Sequence, residues 1–266
     1  IAGSDSGGNA GIQADLRAFH ALRVHGCTAI AALTAQNPGG VRGVQLTSAE
    51  NLGQQLDAIL ECYAVAALKT GMLATSELIG VVAGRLAARP EISKVVDPVM
   101  VATSGARLLA DEAVETLRTR LLPLATLITP NRPEAEVLAG VRIESEATLC
   151  AAAASLVARH GCGVLIKGGH DPEQPARDLL CLPGGGLWWL TTPVVERPWS
   201  THGTGCTLSA AIAAALAKGR SLLEAVVDGK AFVYEAIRTG RVVGPAAAVL
   251  GRPERLPRSV VALMPG

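Results

Sequence analysis

Five short apolar runs, separated by longer amphipathic stretches, constrain this chain more than any other feature. They are CTAIAALTAQ (27–36), AALKTG (66–71), KVVDPVM (94–100), TLITPN (126–131) and GVLIKGG (163–169), and most run out into Gly, Pro, Asn or Asp. Apolar residues at consecutive positions in so short a span suit strands buried on both faces of a parallel sheet. The stretches between them carry helical spacing. GIQADLRAFHAL places Ile12, Leu16 and Phe19 on one side, with Leu22 continuing it. TSAENLGQQLDAIL starts with a Thr47/Glu50 capping box and repeats Leu52, Leu56 and Leu60 every four residues. SELIGVVAGRLAAR, DEAVETLRTRLL, PEAEVLAG and EATLCAAAASLVARHG continue the series. This alternation predicts an α/β fold with a mainly parallel central sheet and helices on both faces, a three-layer αβα arrangement.

DLLCLPGGGLWWLTTPVV reads as an antiparallel edge hairpin turning at Gly184, Gly185 and Gly186. No repeat or low-complexity linker divides the chain, so residues 1–243 are expected to form one domain. Residues 244–266, with Pro and Arg and weak periodicity, read as a surface-laid or partly disordered tail. The opening IAGSD reads as the end of a strand, so native residues are expected before Ile1.

The bulk properties exclude several partners. A net charge of +1 and 3% aromatics argue against nucleic acid and an anionic membrane surface, and no apolar run approaches the length of a membrane span. The six cysteines lack paired spacing, which argues against a disulfide framework or a zinc site and for a reducing, cytoplasmic setting. Five of them read as small buried hydrophobes. Cys206 is different.

In THGTGCTLSAAIAAAL, a Gly203-Thr204-Gly205 turn runs into a helix with Cys206 at its first turn. Glycines allow close approach, and the first amides of a helix point outward unpaired, so the segment suits an anion. The helix dipole at that position favours a thiolate. An ordinary turn with a buried cysteine explains the same residues equally well. TPNRPEAEVL sets Asn131 and Glu134 three apart at a helix start. That spacing suits a hydrated Mg²⁺, and it suits an Asn/Glu helix cap still better. Asp97, before Pro98, is a second magnesium-directed carboxylate or a strand terminator. His202 is a base partner for Cys206 or a structural turn residue. No GxxxxGK[ST] motif occurs.

IAGSDSGGNAGIQADLRAFHAL, ALTAQN, KTGML, VVDPVM, ITPNRPEAEVL, LIKGGH and THGTGCTLSAAIAAAL occur together and in this order. In combination they closely resemble the hydroxymethylpyrimidine/phosphomethylpyrimidine kinases of thiamine biosynthesis, within the ribokinase-like superfamily, from Ile1 to about Gly240. The resemblance implies phosphorylation of 4-amino-5-hydroxymethyl-2-methylpyrimidine (HMP) to its phosphate and then to its diphosphate, with ATP and Mg²⁺. In the superfamily the anion-hole motif usually ends in an Asp that acts as general base; in this kinase family a Cys takes the place, which matches Cys206. Carried over in the same way, Gly203 and Gly205 line the anion hole. Gln36, Asp15, Gly3, Met72 and Val99 look like substrate contacts. Lys167, Asn131 and Thr204 look like ATP-phosphate contacts, and Asp97 and Glu134 like the magnesium-directed carboxylates. The resemblance also implies a homodimer.

One departure is Ser6 after Asp5, where relatives often carry Pro soon after that Asp. A pyridoxal kinase of the same superfamily is the nearest alternative. A sugar kinase, a non-catalytic ligand-binding protein and an enzyme with Cys206 as nucleophile fit less well. Segments 101–108 and 170–177 are the expected mobile flaps.

Overall fold

The computed structural model describes residues 1–100, 109–169 and 176–266. In chain order the elements are β1 (Ala2–Asp5), α1 (Gly11–Ala21), β2 (Ile30–Asn37), β3 (Gly40–Leu46), α2 (Ala49–Cys62), β4 (Ala67–Thr70), α3 (Ser76–Ala87) and β5 (Ser93–Val96). They continue with α4 (Asp111–Thr116), β6 (Leu127–Ile128), α5 (Arg132–Ala139), α6 (Glu146–His160), β7 (Gly163–Ile166), β8 (Arg177–Cys181) and β9 (Leu187–Thr191). The last are α7 (Thr204–Ala217), α8 (Leu222–Arg238), β10 (Arg241–Gly244), β11 (Ala247–Val249) and β12 (Ala262–Pro265).

Strands β4 to β7 are parallel, and β8, β9 and β12 extend the same sheet antiparallel. A second sheet pairs β1 with β2 in parallel and β2 with β3 antiparallel. Ile1 N donates to Lys69 O and Gly71 N to Ile1 O, so β1 lies against β4 and the two sheets continue one another. Consecutive strand residues divide between two faces, as the unbroken apolar runs require. Val96, Ile128, Val164 and Ile166 join a core under α2 to α6, whereas Val95, Leu127 and Leu165 pack against α7 and α8.

Three local expectations differ. The buried face of α1 is Ile12, Ala14, Asp15 and Ala18, with Leu16 exposed. The helix is turned so that Asp15 points inward, toward a buried lysine. Ser48, rather than Thr47, caps α2 by accepting from Asn51 N. Cys62 is exposed, while Cys162 and Cys181 are buried; all six cysteines are free. The hairpin of β8 and β9 forms as expected, but β12 pairs outside β9, so the C-terminal segment supplies the outermost strand. Arg258 beside it is paired with Asp228 of α8.

Candidate active site

The carboxyl ends of the parallel strands and the N-termini of α1 and α7 surround a cavity of about 880 Å³. That is large enough for a small molecule and a nucleotide together, and it sits where open α/β sheets hold ligands. Every residue singled out from the sequence lines it except Asp15. The Asp15 carboxylate lies behind the cavity wall, 2.9 and 3.1 Å from Lys69 Nζ, and Lys69 faces the cavity in its place.

The anion cradle is built by omission. Helices α2, α3, α5, α6 and α8 each receive a side-chain cap, from Ser48, Thr75, Asn131, Ser145 and Ser221. Helices α1 and α7, which meet at the cavity, receive none, and neither does the short α4. The Gly205 and Cys206 amides have no partner among the described residues, so they are free donors at the positive end of a helix. Gly203 makes the turn possible. Its φ is 84°, and a Cβ there would lie 1.8 Å from Asn9 O.

Cys206 is half-buried at this junction, near enough to the Gly11 amide for that dipole to favour a thiolate. Burial pushes the thiol above its ordinary value; the Lys69 ammonium opposes that shift, while Asp15 and Asp97 add to it. The expectation of a thiolate favoured by the helix dipole is therefore corrected. Desolvation and the two carboxylates favour the protonated thiol, against the pull of Lys69. Burial likewise raises the Asp15 carboxyl, against the pull of Lys69. It also works against the Lys69 ammonium, but Asp15 prevails and keeps Lys69 charged.

Beside the cradle, Lys167 Nζ is 2.8 Å from Asp97 Oδ1, and Ser209 Oγ is 3.3 Å from Asp97 Oδ2. Burial disfavours the Lys167 ammonium, yet Asp97 and Glu134 more than compensate and raise its pKa. Asn131 and Glu134 form the capping box of α5: Glu134 N donates to Asn131 Oδ1, and Asn131 N to Glu134 Oε2. Glu134 Oε1 also accepts from Met100 N. The capping alternative read from the sequence is thus present, and it fixes both side chains at the cavity wall. No preformed cluster of three or more metal-ligating side chains occurs among the described residues. The donor set that is present, hard carboxylate and amide oxygens already held by amides and an ammonium, suits a hydrated Mg²⁺ carried by phosphates.

At the other end, the Asp5 carboxylate accepts from the Gly7, Asn9 and Ala10 amides and holds the glycine-rich loop closed. Ser6 Oγ donates to Gln36 O and accepts from Gln36 N, both at 2.8 Å. The Gln36 amide lies between Thr34 Oγ1, 3.2 Å from Oε1, and His202 Nε2, 3.1 Å from Nε2. The recorded side-chain partners of His202 are Gln36 and Asp5, not Cys206. Val99 and Met72 supply apolar wall, and Val99 does so at φ 40°, a strained conformation for a β-branched residue.

One buried pair escaped the sequence reading. Lys230 Nζ is 2.7 Å from Asp178 Oδ2 and 2.8 Å from Ala176 O, while Gly168 N donates to Asp178 Oδ1. Both side chains line the cavity at the Val233, Tyr234 and Ile237 wall. The available signal was an Asp opening an apolar strand and a Lys on the apolar face of α8. The expected flap 101–108, and 170–175 of the other, lie outside the described residues. No helix among the described residues is long and apolar enough to cross a membrane.

Comparison with known proteins identifies the family. A family model described as phosphomethylpyrimidine kinase matches residues 5–250. A hydroxymethylpyrimidine/phosphomethylpyrimidine kinase of Rhizobium meliloti is 49% identical over 238 residues, covering 89% of this chain and 88% of its own. The enzyme of the same name from Bacillus subtilis is 45% identical over 244 residues, covering 92% and 90%. Among solved structures, a Staphylococcus aureus pyridoxal kinase in complex with ADP superimposes with a TM-score of 0.89 at 33% identity, covering 100% of this chain and 97% of that one. The fold is the ribokinase-like α/β fold expected from the sequence, and the chain belongs to the phosphomethylpyrimidine kinase family.

Proposed function

We propose that this protein phosphorylates HMP on its hydroxymethyl oxygen and then HMP phosphate to the diphosphate, using Mg-ATP. The observation that carries this reading is one continuous cavity with Gln36 at one end and the unpartnered Gly205 and Cys206 amides beside Cys206 at the centre. The Gln36 amide offers a donor and an acceptor, as a ring nitrogen beside an exocyclic amine requires. Gly3, Met72 and Val99 enclose the ring. Asp15 acts from behind, by keeping Lys69 in place.

Transfer of a phosphoryl group is mostly positioning and charge stabilisation. The amides of Gly203, Gly205 and Cys206, with Thr204 beside them, meet the negative charge that develops on the transferring group. Lys167 holds ATP phosphate from beside the cradle, and Val233, Tyr234 and Ile237 cover the base. Asp97 and Glu134 would hold Mg²⁺ through its waters, with Asn131 at its edge; the ion neutralises phosphate charge. Cys206 Sγ takes the alcohol proton. Its thiol first gives its own proton to solvent water, which Lys69 and the Gly11 amide assist and burial resists. A base of this kind contributes on the order of 10²–10⁴-fold.

The rest of the reading is a cytoplasmic homodimer of a single domain, with β12 of the C-terminal segment joining its sheet. The exposed Leu33, Val44 and Leu46 on β2 and β3 support the dimer; sedimentation equilibrium tests it. A second reading, pyridoxal phosphorylation, draws on the close superposition with the Staphylococcus aureus enzyme. ADP release with HMP, HMP phosphate and pyridoxal decides between them. Higher kcat/KM for both pyrimidines supports the proposal; higher kcat/KM for pyridoxal overturns it.

A further inference from the structure

Gln36 is held from more directions than a residue that merely lines a cavity. Its backbone is stitched to the glycine-rich loop at both N–H and C=O by the single hydroxyl of Ser6. Its side chain is flanked by Thr34 Oγ1 on the oxygen and His202 Nε2 on the nitrogen. A primary amide has two acceptor lone pairs and two N–H donors. Thr34 and His202 take one of each, so one donor and one acceptor remain for a ligand.

Which way round they face depends on a neighbour that can tell the two ends of the amide apart. Thr34 cannot. Its hydroxyl has one proton, and Ser4 O is a second acceptor for it at 3.0 Å. It can donate to Gln36 Oε1, or donate to Ser4 O and accept from a turned Gln36 Nε2. His202 can discriminate, because its Nε2 is either an acceptor or a donor. With the ring proton on Nδ1, Nε2 accepts and keeps the amide nitrogen on the His202 side. With a proton on Nε2, which the Asp5 carboxylate 3.8 Å away would favour, it would call for the amide oxygen instead. Turning the amide exchanges the donor and acceptor edges offered to a ring.

We infer that His202 is a positioning residue that fixes the orientation of the Gln36 amide, and so sets which heterocycle edge the cavity accepts. The inference rests on the reading of Gln36 as the ring contact. It explains why the turn leading into the anion cradle sets its histidine against the Gln36 amide.

The test is a double-mutant cycle on the full chain. His202→Phe keeps a flat ring without a hydrogen bond, His202→Gln restores an acceptor, and Gln36→Ala removes the group being oriented. His202→Phe is expected to raise KM for HMP about threefold to tenfold, the loss of one hydrogen bond. Its kcat should stay within about twofold and its KM for ATP unchanged, with His202→Gln recovering much of the loss. In the Gln36→Ala background His202→Phe should add nothing. A full added loss in that background overturns the positioning role alone. A fall in kcat at unchanged KM also overturns it, since that is the mark of a group acting on the reacting atoms. An unchanged KM in Gln36→Ala itself overturns both this inference and the ring-contact reading beneath it. Thermal denaturation of each variant separates these effects from a folding defect.

Discussion

Gly203→Ala probes the cradle through its backbone. At φ 84° an alanine costs about 1–2 kcal/mol of left-handed strain. Its Cβ would also lie 1.8 Å from Asn9 O and 2.9 Å from Asn9 C, against backbone that has little freedom to move. The neighbouring amides of Gly7, Asn9 and Ala10 are tied to the Asp5 carboxylate. Relief therefore requires the loop and the start of α7 to part by more than about 1 Å, breaking at least one buried hydrogen bond worth about 1–3 kcal/mol. The expected destabilisation is about 2–5 kcal/mol. A displacement of that size at the cradle lowers kcat on the order of 10²-fold. Gly205→Ala is the control. It lies inside the helix at ordinary φ, and its Cβ would meet Lys167 Nζ at 3.5 Å and Asp97 Oδ2 at 3.9 Å, ordinary contacts. It should gain up to about 1 kcal/mol of helix stability while placing a methyl beside the phosphate donors, so activity falls as Tm holds or rises. Steady-state ADP release and thermal melts on both variants make the comparison. Wild-type kcat and Tm in Gly203→Ala would refute the reasoning.

Three further outcomes follow from the same geometry. Because burial holds the Cys206 thiol above its ordinary value and Lys69 pulls it down, kcat should climb with pH through the alkaline range. Lys69→Met should move that limb to higher pH, and a limb moving lower contradicts the assignment. His160 is buried with both ring nitrogens unpartnered among the described residues, and burial, then Arg159 and Arg118, lower its pKa. The unfolded chain binds a proton near its ordinary value of about 6.5 while the folded chain does not, so stability is full above that pH and falls below it. His160→Leu should flatten that part of a urea-melt pH series; an unchanged slope counts against it. Asp178→Ala strands the Lys230 ammonium and frees the Gly168 amide, so it should cost about 3–5 kcal/mol by urea denaturation. The double variant Asp178→Leu with Lys230→Met should recover much of that loss, and no recovery would mean the pair is not the cause.

The layered fold was legible because its strands are buried on both sides: Val95 and Val96, or Leu165 and Ile166, serve opposite cores, and an unbroken apolar run is the signature of that. The cradle was legible in part. Gly203, Gly205 and Cys206 announced a turn into an uncapped helix, but spacing cannot report desolvation. The direction of the thiol's shift was therefore missed. Asp15 misled for a related reason. The family resemblance carries it over as a substrate contact, and only the folded chain shows Lys69 of β4 holding its carboxylate behind the cavity wall. The Asp178–Lys230 pair was hidden because its partners are 52 residues apart, each lying in a segment that periodicity assigns to the core. Asn131 and Glu134 were legible as a cap, and the cap puts them on the cavity wall.

The most direct test of the account is the turnover of Cys206→Ala and Cys206→Ser with HMP and saturating Mg-ATP, alongside the equilibrium affinity for HMP. Removal of the proton acceptor predicts kcat lower by on the order of 10²-fold or more in both, with HMP affinity changed by less than about threefold. Wild-type turnover in both variants would show that the cradle works without the cysteine, and would contradict the claim that Cys206 takes the alcohol proton.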